Sequence, residues 1–342
     1  MLSNFPRIVK QLLKTLPQGD YPKLDTFSFV SCWLSFVLDQ SQTGMRSLFQ
    51  RLNMRGIDID ISTFSKASKK RDPSIFYNLF VKLSKRLERR EGFGDKKLSL
   101  FPVDSTIVTL TSKLMWNQGY GQVKLFSGIN LCTSSPDGIL LHFGQGHDSK
   151  YGEETIRAIP ENAVGIMDRG FSKLERIQDL QELQDRYFVM RVKNNMNLEL
   201  SSDAKDDRAM LGTGNKQVKV RVVAFSDIET RTEFRLATNL PAGGENAISN
   251  DEIAEIYRKR WQIELLWKFL KMHLKLDRLI TKNVNGITIQ IYSCLIVYVL
   301  LELVEIPKEF GYKRLDKLRY LQAFMCEKIS YLHWFRKMMA TS

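Results

Sequence analysis

Cysteine and histidine are scarce in this sequence, and neither is clustered. Among 342 residues there are four of each. Cys32, Cys132, Cys294 and Cys326 stand far apart, and no two histidines have the H-x-x-x-H spacing. This excludes a C-x-x-C metal or redox motif, and the thiols read as buried and reduced, as in a cytosolic protein. Long apolar runs are few as well. The longest, Ile287–Val304 (ITIQIYSCLIVYVLLELV), has 18 residues and is interrupted by Gln290, Ser293 and Glu302. A membrane span needs roughly 20 mainly apolar residues, so this run reads as a buried core helix and no membrane partner is expected. The first residues, MLSNFPRIVKQLLKTL, lack the apolar core and cleavage site of a secretory signal. There is no internal repeat and no low-complexity segment.

Acidic residues are in deficit. Lys and Arg number 51 against 38 Asp and Glu, giving a net charge of +13 and an isoelectric point near 9.5. Such an excess points to a polyanion, most often nucleic acid, with an anionic membrane surface as the alternative. The 43% hydrophobic content is ample for a large core, and the length suggests about two or three domains.

Residues 1–95 read as helical, with helices expected at 4–16, 25–40, 44–53, 61–70 and 73–91. The segment MRSLFQRLNMRGIDIDISTFSKASKK has the form helix, turn, helix. Its second helix starts near Ser62 and carries Lys66, Lys69 and Lys70, followed by Arg71, which suits a recognition helix for DNA. The plainer reading is a helical bundle with a solvated basic face. From residue 98 the texture changes. LSLFPVDSTIVTL, GQVKLFSGINLCT and GILLHFGQG, separated by NQGYG and SSPDG, predict a three-stranded antiparallel meander. A short helix is expected near 153–159. AVGIM then ends in Asp168, a buried strand delivering a carboxylate. SKLE (172–175) has the form of a capping box opening a helix over 173–183, and RYFVMRVK (186–193) is a strand. Residues 194–217 are polar, VKVRVVAF (218–225) and EFRLATNL (233–240) are strands, and SNDE (249–252) is a second capping box opening one long helix over 250–276. The remainder, from 285, is helical. This order suggests an α/β sheet domain with a β-rich segment before its last major helix.

The long helix contains YRKRWQIELLWKFLK, with five cations and a single acid, Glu264. At about 100° per residue, Tyr257, Arg260, Glu264 and Lys271 fall within roughly 60° of arc, a polar seam on a helix that is otherwise apolar on more than one side. On spacing alone, Arg260–Glu264 and Glu264–Lys268 are ordinary i,i+4 surface pairs, each contributing about 0.2–0.5 kcal/mol. Two further isolated acids change the weighing. Asp104 sits inside the strand FPVDSTIVTL, and Asp168 ends AVGIM. A carboxylate there is disfavoured unless it is partnered or binds metal, although a strand-end turn or N-cap would also account for either, and more readily for Asp168. Trp261 and Trp267 read as core residues, and His147–Asp148 in GQGHDS as a loop turn that could border a site.

The pattern Y-x2-R-x3-E-x6-K, filled by Tyr257, Arg260, Glu264 and Lys271, resembles the YREK signature of DDE transposases encoded by bacterial insertion sequences. Asp104, Asp168 and the basic helical start extend the resemblance over nearly the whole chain. It implies an α/β fold with a ribonuclease H-like mixed sheet and helices, interrupted by a β-rich insertion and preceded by an all-helical domain. The implied domains are 1–95, helical and DNA-binding; 96–185, the first part of the catalytic core; 186–248, the insertion; and 249–342, the second part of the core with carboxyl-terminal helices. It also implies that Asp104, Asp168 and Glu264 are catalytic and hold two Mg²⁺ ions, for which Mn²⁺ can substitute. Hard oxygen ligands suit that ion, and a pair of ions serves both ends of an in-line phosphoryl displacement. Tyr257, Arg260 and Lys271 match positions that contact phosphates near the cleaved end.

The implied reaction is metal-dependent cleavage at the element's ends, then attack of the exposed 3′-hydroxyl on target DNA. The partners are double-stranded DNA, both terminal inverted repeats and target, and a second copy of the chain in a homodimer on DNA. The implied location is the bacterial cytoplasm, at the nucleoid. Some relatives stack a flipped base on a tryptophan of the insertion; residues 186–248 hold none, and Phe225 or Phe234 is the available aromatic. Two rival readings share parts of this pattern: a non-transposing nuclease on the same fold, and a DNA-binding protein without catalysis.

Overall fold

The computed structural model describes residues 11, 14–17, 21, 24–54, 59–91, 98–110, 120–200, 208–214, 216–226 and 233–324. Most of the helix expected over 4–16, the turn at 55–58 and Cys326 lie outside the described residues. In chain order the elements begin with helices α1 (Thr26–Leu38), α2 (Met45–Met54), α3 (Ile61–Lys70) and α4 (Ser74–Glu91), then strands β1 (Ser99–Thr109), β2 (Gln122–Asn130) and β3 (Ser135–Phe143). Short helices α5 (Asp148–Tyr151) and α6 (Glu153–Arg157) lead to β4 (Ala163–Met167), a 3-10 turn (Arg169–Phe171), α7 (Leu174–Glu182) and β5 (Arg186–Arg191). Strands β6 (Leu198–Leu200), β7 (Arg208–Thr213), β8 (Lys216–Ser226) and β9 (Glu233–Thr238) precede helices α8 (Asn250–Arg258), α9 (Trp261–Leu274), α10 (Val284–Leu303) and α11 (Arg314–Phe324).

The chain forms two compact units. One gathers residues 1–90, 110–118 and 268–342, the other 91–109 and 119–267. The first unit is helical. Asp25 caps α1 by accepting from the Ser28 N–H at 2.6 Å, and α1 buries Phe29 and Trp33 against Phe64 of α3, with ring centroids 5.5 and 5.3 Å apart. The long apolar run forms α10, buried along most of its length. Each polar interruption has a partner. Gln290 donates to the Lys275 and Arg278 carbonyls and accepts from the Ile280 N–H, Ser293 donates to the Ile289 carbonyl, and Glu302 pairs with Arg314. These are the bonds of a core helix. Lys275, 2% exposed and in the left-handed region (φ 58°), donates to the carbonyls of Phe36 in the last turn of α1 and of Asp39 and Gln42 beyond it.

The second unit is built on a nine-stranded mixed sheet in the order β3-β2-β1-β4-β5-β9-β8-β7-β6. The predicted meander β1–β3 is antiparallel; β4 and β5 run parallel to β1, and β9 returns antiparallel to β5. Strand alternation divides the core between two faces. Phe101, Val103, Met167, Phe188 and Met190 lie in one cluster with Phe171, Ile177 and Leu180. Val164, Ile166, Val189 and Leu236 lie in the other with Ile253 and Tyr257 of α8. Gly128 is required by close packing, since a Cβ there would come within 2.0 Å of the Phe101 ring.

Several expectations are corrected. The helix over 250–276 is two helices. Ser249 and Glu252 form the expected capping box of α8, but at its end the N–H groups of Lys259, Arg260, Gln262 and Ile263 each bond three residues back. That tightened turn breaks the seam without glycine or proline, so no breaker marks it in the sequence. Ser172 does not cap α7. Asp168 caps the preceding 3-10 turn, the N-cap position of α7 falls on Lys173, and the Ser172 hydroxyl turns to Met196 Sδ at 3.5 Å. The polar stretch 194–217 contains strands β6 and β7, paired at the sheet edge with Leu198 opposite Leu211, where short polar strands are the norm. Cys132 is exposed in the β2–β3 turn, while Cys32 and Cys294 are buried.

Replacing Lys275 by Ala removes three hydrogen bonds and leaves buried carbonyls unpaired. We expect a loss of about 3 kcal/mol, read as a lower midpoint in thermal or urea unfolding. An unchanged midpoint would show that the clamp contributes nothing.

Candidate functional site

The β1–β4 register builds the site. The strands are parallel with Val103 opposite Met167, so the next residues are Asp104 on one and Asp168 beyond the end of the other. Past Val103, β1 has no partner on the β4 side, and the Asp104 carboxylate accepts from the Ser105 N–H. Burial raises Asp104 to about 6; Arg260 opposes the rise, and the charges of Asp148 and Glu264 add to it. Asp168 accepts from the Arg169 N–H at 2.6 Å, so the strand-end cap anticipated as its plainer role is present.

The third acid comes from the far side of the helix break. Glu264 lies in the first turn of α9 and pairs with Arg260 at 2.6 Å, with side chains 31% and 14% exposed. This is the i,i+4 pair anticipated from spacing, but in a half-buried setting. Burial alone would lower the Arg260 pKa; the Glu264 hydrogen bond, followed by Tyr257, Glu264 and Asp168 as charges, raises it. Its Nε is buried with no acceptor. Arg260 is thus within electrostatic reach of all three acids. Tyr257, 8% exposed, is packed against the sheet and hydrogen-bonded to Arg191; burial, then the Asp168 charge, push its phenol up. Lys271 lies further along α9, on the segment that belongs to the first unit, as do the exposed Lys66, Lys69 and Lys70 of α3. Arg71 is not part of a basic face: it is buried and donates to the Leu24 and Asp25 carbonyls.

Asp148, expected in a loop turn that could border a site, begins α5 and accepts from Ser105 Oγ at 2.5 Å and from Lys124 Nζ at 2.9 Å. Lys124, itself buried, also donates to the Gly146 carbonyl. Asp148 therefore stands beside the neighbour of Asp104, a pairing across 43 residues that no local signal reveals. Trp267 is buried as expected, but Trp261 is 61% exposed. Phe225 and Phe234 stack on one another at 5.2 Å and 8°. Among the described residues, no three acidic, histidine or cysteine side chains stand close enough to form a metal cluster.

The family described as "Transposase DDE domain" matches residues 95–300. A Synechocystis sp. protein named "Putative transposase for insertion sequence element IS4SA" is 59% identical over 340 residues, covering 99% of both chains. A Geobacillus stearothermophilus protein named "Probable transposase for insertion sequence element IS5377" is 30% identical over 264 residues, covering 70% of this chain and 66% of its own.

Asp104 gives a pH-dependent stability prediction. Its pKa is raised on folding, so the native state is favoured where the group is protonated and loses stability as pH climbs from about 4 to about 6. Asp104→Asn removes this cost. The variant should match wild type near pH 4 and gain up to about 3 kcal/mol above pH 6, at about 1.4 kcal/mol per pKa unit. Melting temperatures across that range test it; a gain independent of pH would reject it.

Proposed function

We propose, given that the chain belongs to the DDE transposases of insertion sequences, that Asp104, Asp168 and Glu264 are its catalytic carboxylates. The enzyme cleaves DNA and transfers the cut strand. The assignment of residues rests on one observation above others: the parallel β1–β4 register makes Asp104 and Asp168 neighbours, and Arg260 links them electrostatically to Glu264. The strand order β3-β2-β1-β4 supports a ribonuclease H-like core over 96–185 and 249–342. On this reading residues 186–248 are its β-rich insertion, which extends the same sheet, and residues 1–95 its helical DNA-binding domain, with Lys66, Lys69 and Lys70 toward DNA.

The family depends on a divalent metal, and the residues fit one in their chemistry. The donors are hard oxygens, and Asp104, whose pKa burial raises to about 6, is a carboxylate that a bound cation would hold ionised. Asp104, Asp168 and Glu264 would hold Mg²⁺, as two ions, with Mn²⁺ able to substitute. Bound cations stabilise charge on the phosphoryl oxygens and acidify water. The protein's own cations do the positioning. Arg260, with an unused Nε–H beside its bond to Glu264, offers a planar fork to a phosphate. Tyr257 is held by Arg191, and with Arg260 and Lys271 it grips the backbone near the cut. Water opens the phosphodiester, and the freed 3′-hydroxyl makes the second attack on target DNA. A homodimer would hold the two terminal repeats for joining to one target, in the cytoplasm at the nucleoid.

The test is a labelled DNA fragment carrying the element's own flanks, with and without Mg²⁺. Wild type should cut at a defined flank position only with metal. Glu264→Gln should bind the fragment as well and cut slower by on the order of a thousandfold. Mg²⁺ should raise the melting temperature of wild type more than that of the variant. Equal cutting by both proteins would remove Glu264 from the catalytic set.

A further inference from the structure

The second unit has an open cleft of about 490 Å³ beside the acids, within the roughly 300–1,000 Å³ range of ligand sites. Its walls come from Asp148, from Arg169 and Gly170 after β4, and from Lys193, Asn194 and Asn195 after β5. Because β4 and β5 are parallel, the residues that follow them emerge at the same end of the sheet as Asp168. The cleft therefore begins where the catalytic acids end.

Its chemistry is that of a surface waiting for an anionic polymer. Arg169 and Lys193 are exposed, and among the described residues no carboxylate pairs with either. Asn194 and Asn195 are exposed, with no hydrogen bond to their amide groups. The one acid in the wall, Asp148, is already neutralised by Lys124. Gly170 packs closely on Asp148, since a Cβ there would come within 3.1 Å of Asp148 Oδ2. Cations of this kind contact phosphates, while side-chain amides can donate to and accept from base edges. Resting on the transposase reading, we infer that this cleft holds a DNA strand next to the reacting phosphodiester, Arg169 and Lys193 on its backbone and Asn194 and Asn195 on its bases. This grip is separate from that of Tyr257, Arg260 and Lys271. The strand is either the flank of the element's end or the target.

The full chain carries the test, as wild type, Arg169→Ala/Lys193→Ala and Asn194→Ala/Asn195→Ala. All changed side chains are exposed, so melting temperatures should agree and show that each variant folds. Losing two phosphate contacts should lower the slope of log affinity against log salt by about 1.4–1.8. If the strand is the flank, the cationic variant needs more substrate to cleave an uncut end, while a pre-cut end joins target normally. If it is the target, cleavage holds, joining falls at limiting target, and the asparagine variant shifts the sequence preference of insertion. An unchanged salt slope with both reactions intact would overturn the cleft while leaving the catalytic acids standing. If wild type cuts nothing, the catalytic reading fails and the salt slope alone decides: a lower slope supports the cleft, an equal one rejects it.

Discussion

Like charge gathered in a half-buried place is the constraint on which the second unit turns. Burial raises the Asp104 pKa to about 6, and the charges of Asp148 and Glu264 add to the rise. Such a group is costly to bury unless something answers it. Two cations do. Lys124 takes Asp148, and Arg260 takes Glu264 while feeling Asp168. The apolar faces of the sheet, filled from both sides, hold the strands in the register that keeps the acids together in spite of their repulsion.

The break between α8 and α9 is part of that solution. In an unbroken helix Glu264 would be a mid-helix residue among cations. After the tightened turn it lies in the first turn of a new helix, where the helix dipole favours a carboxylate by about 0.3–1 kcal/mol. Before the break, Ile253 and Tyr257 are committed to the sheet face. After it, Ile263, Leu266 and Trp267 are buried on α9. The tightened turn at Arg260 separates these two buried stretches. The lone acid among five cations is thus held by position in the fold as well as by its ion pair.

How much of this was legible depended on whether a feature was local. The meander, the strand ending in Asp168, the capping box at Ser249 and the buried run of α10 follow from period and punctuation within short windows, and all are present. The capping box at Ser172 failed because Asp168, four residues earlier, captured the turn. The helix break left no mark, because neither glycine nor proline stands at it. Asp148 was legible only in part: GQGHDS has the texture of a turn that could border a site, and the fold brings it to Ser105. Trp261, adjacent to Arg260 in the same apolar and basic run as Trp267, is exposed at the first position of α9 while Trp267 is buried.

The positive excess is also unevenly available. Several cations are spent inside the fold. Arg71 and Lys275 clamp main-chain carbonyls in the helical unit. Arg176 donates to the Phe171 carbonyl, and Arg221 bonds the carbonyls of Leu240, Pro241 and Ile248. Each satisfies groups that would otherwise be buried without partners, a structural task that a charge count cannot separate from DNA binding. The cations left for a polyanion are those at the surface, and Arg169 and Lys193 stand out among them because they line a cleft adjoining the acids. A net charge of +13 therefore overstates the electrostatic footprint on DNA. The salt dependence of binding should reflect the exposed, unpaired subset rather than the total.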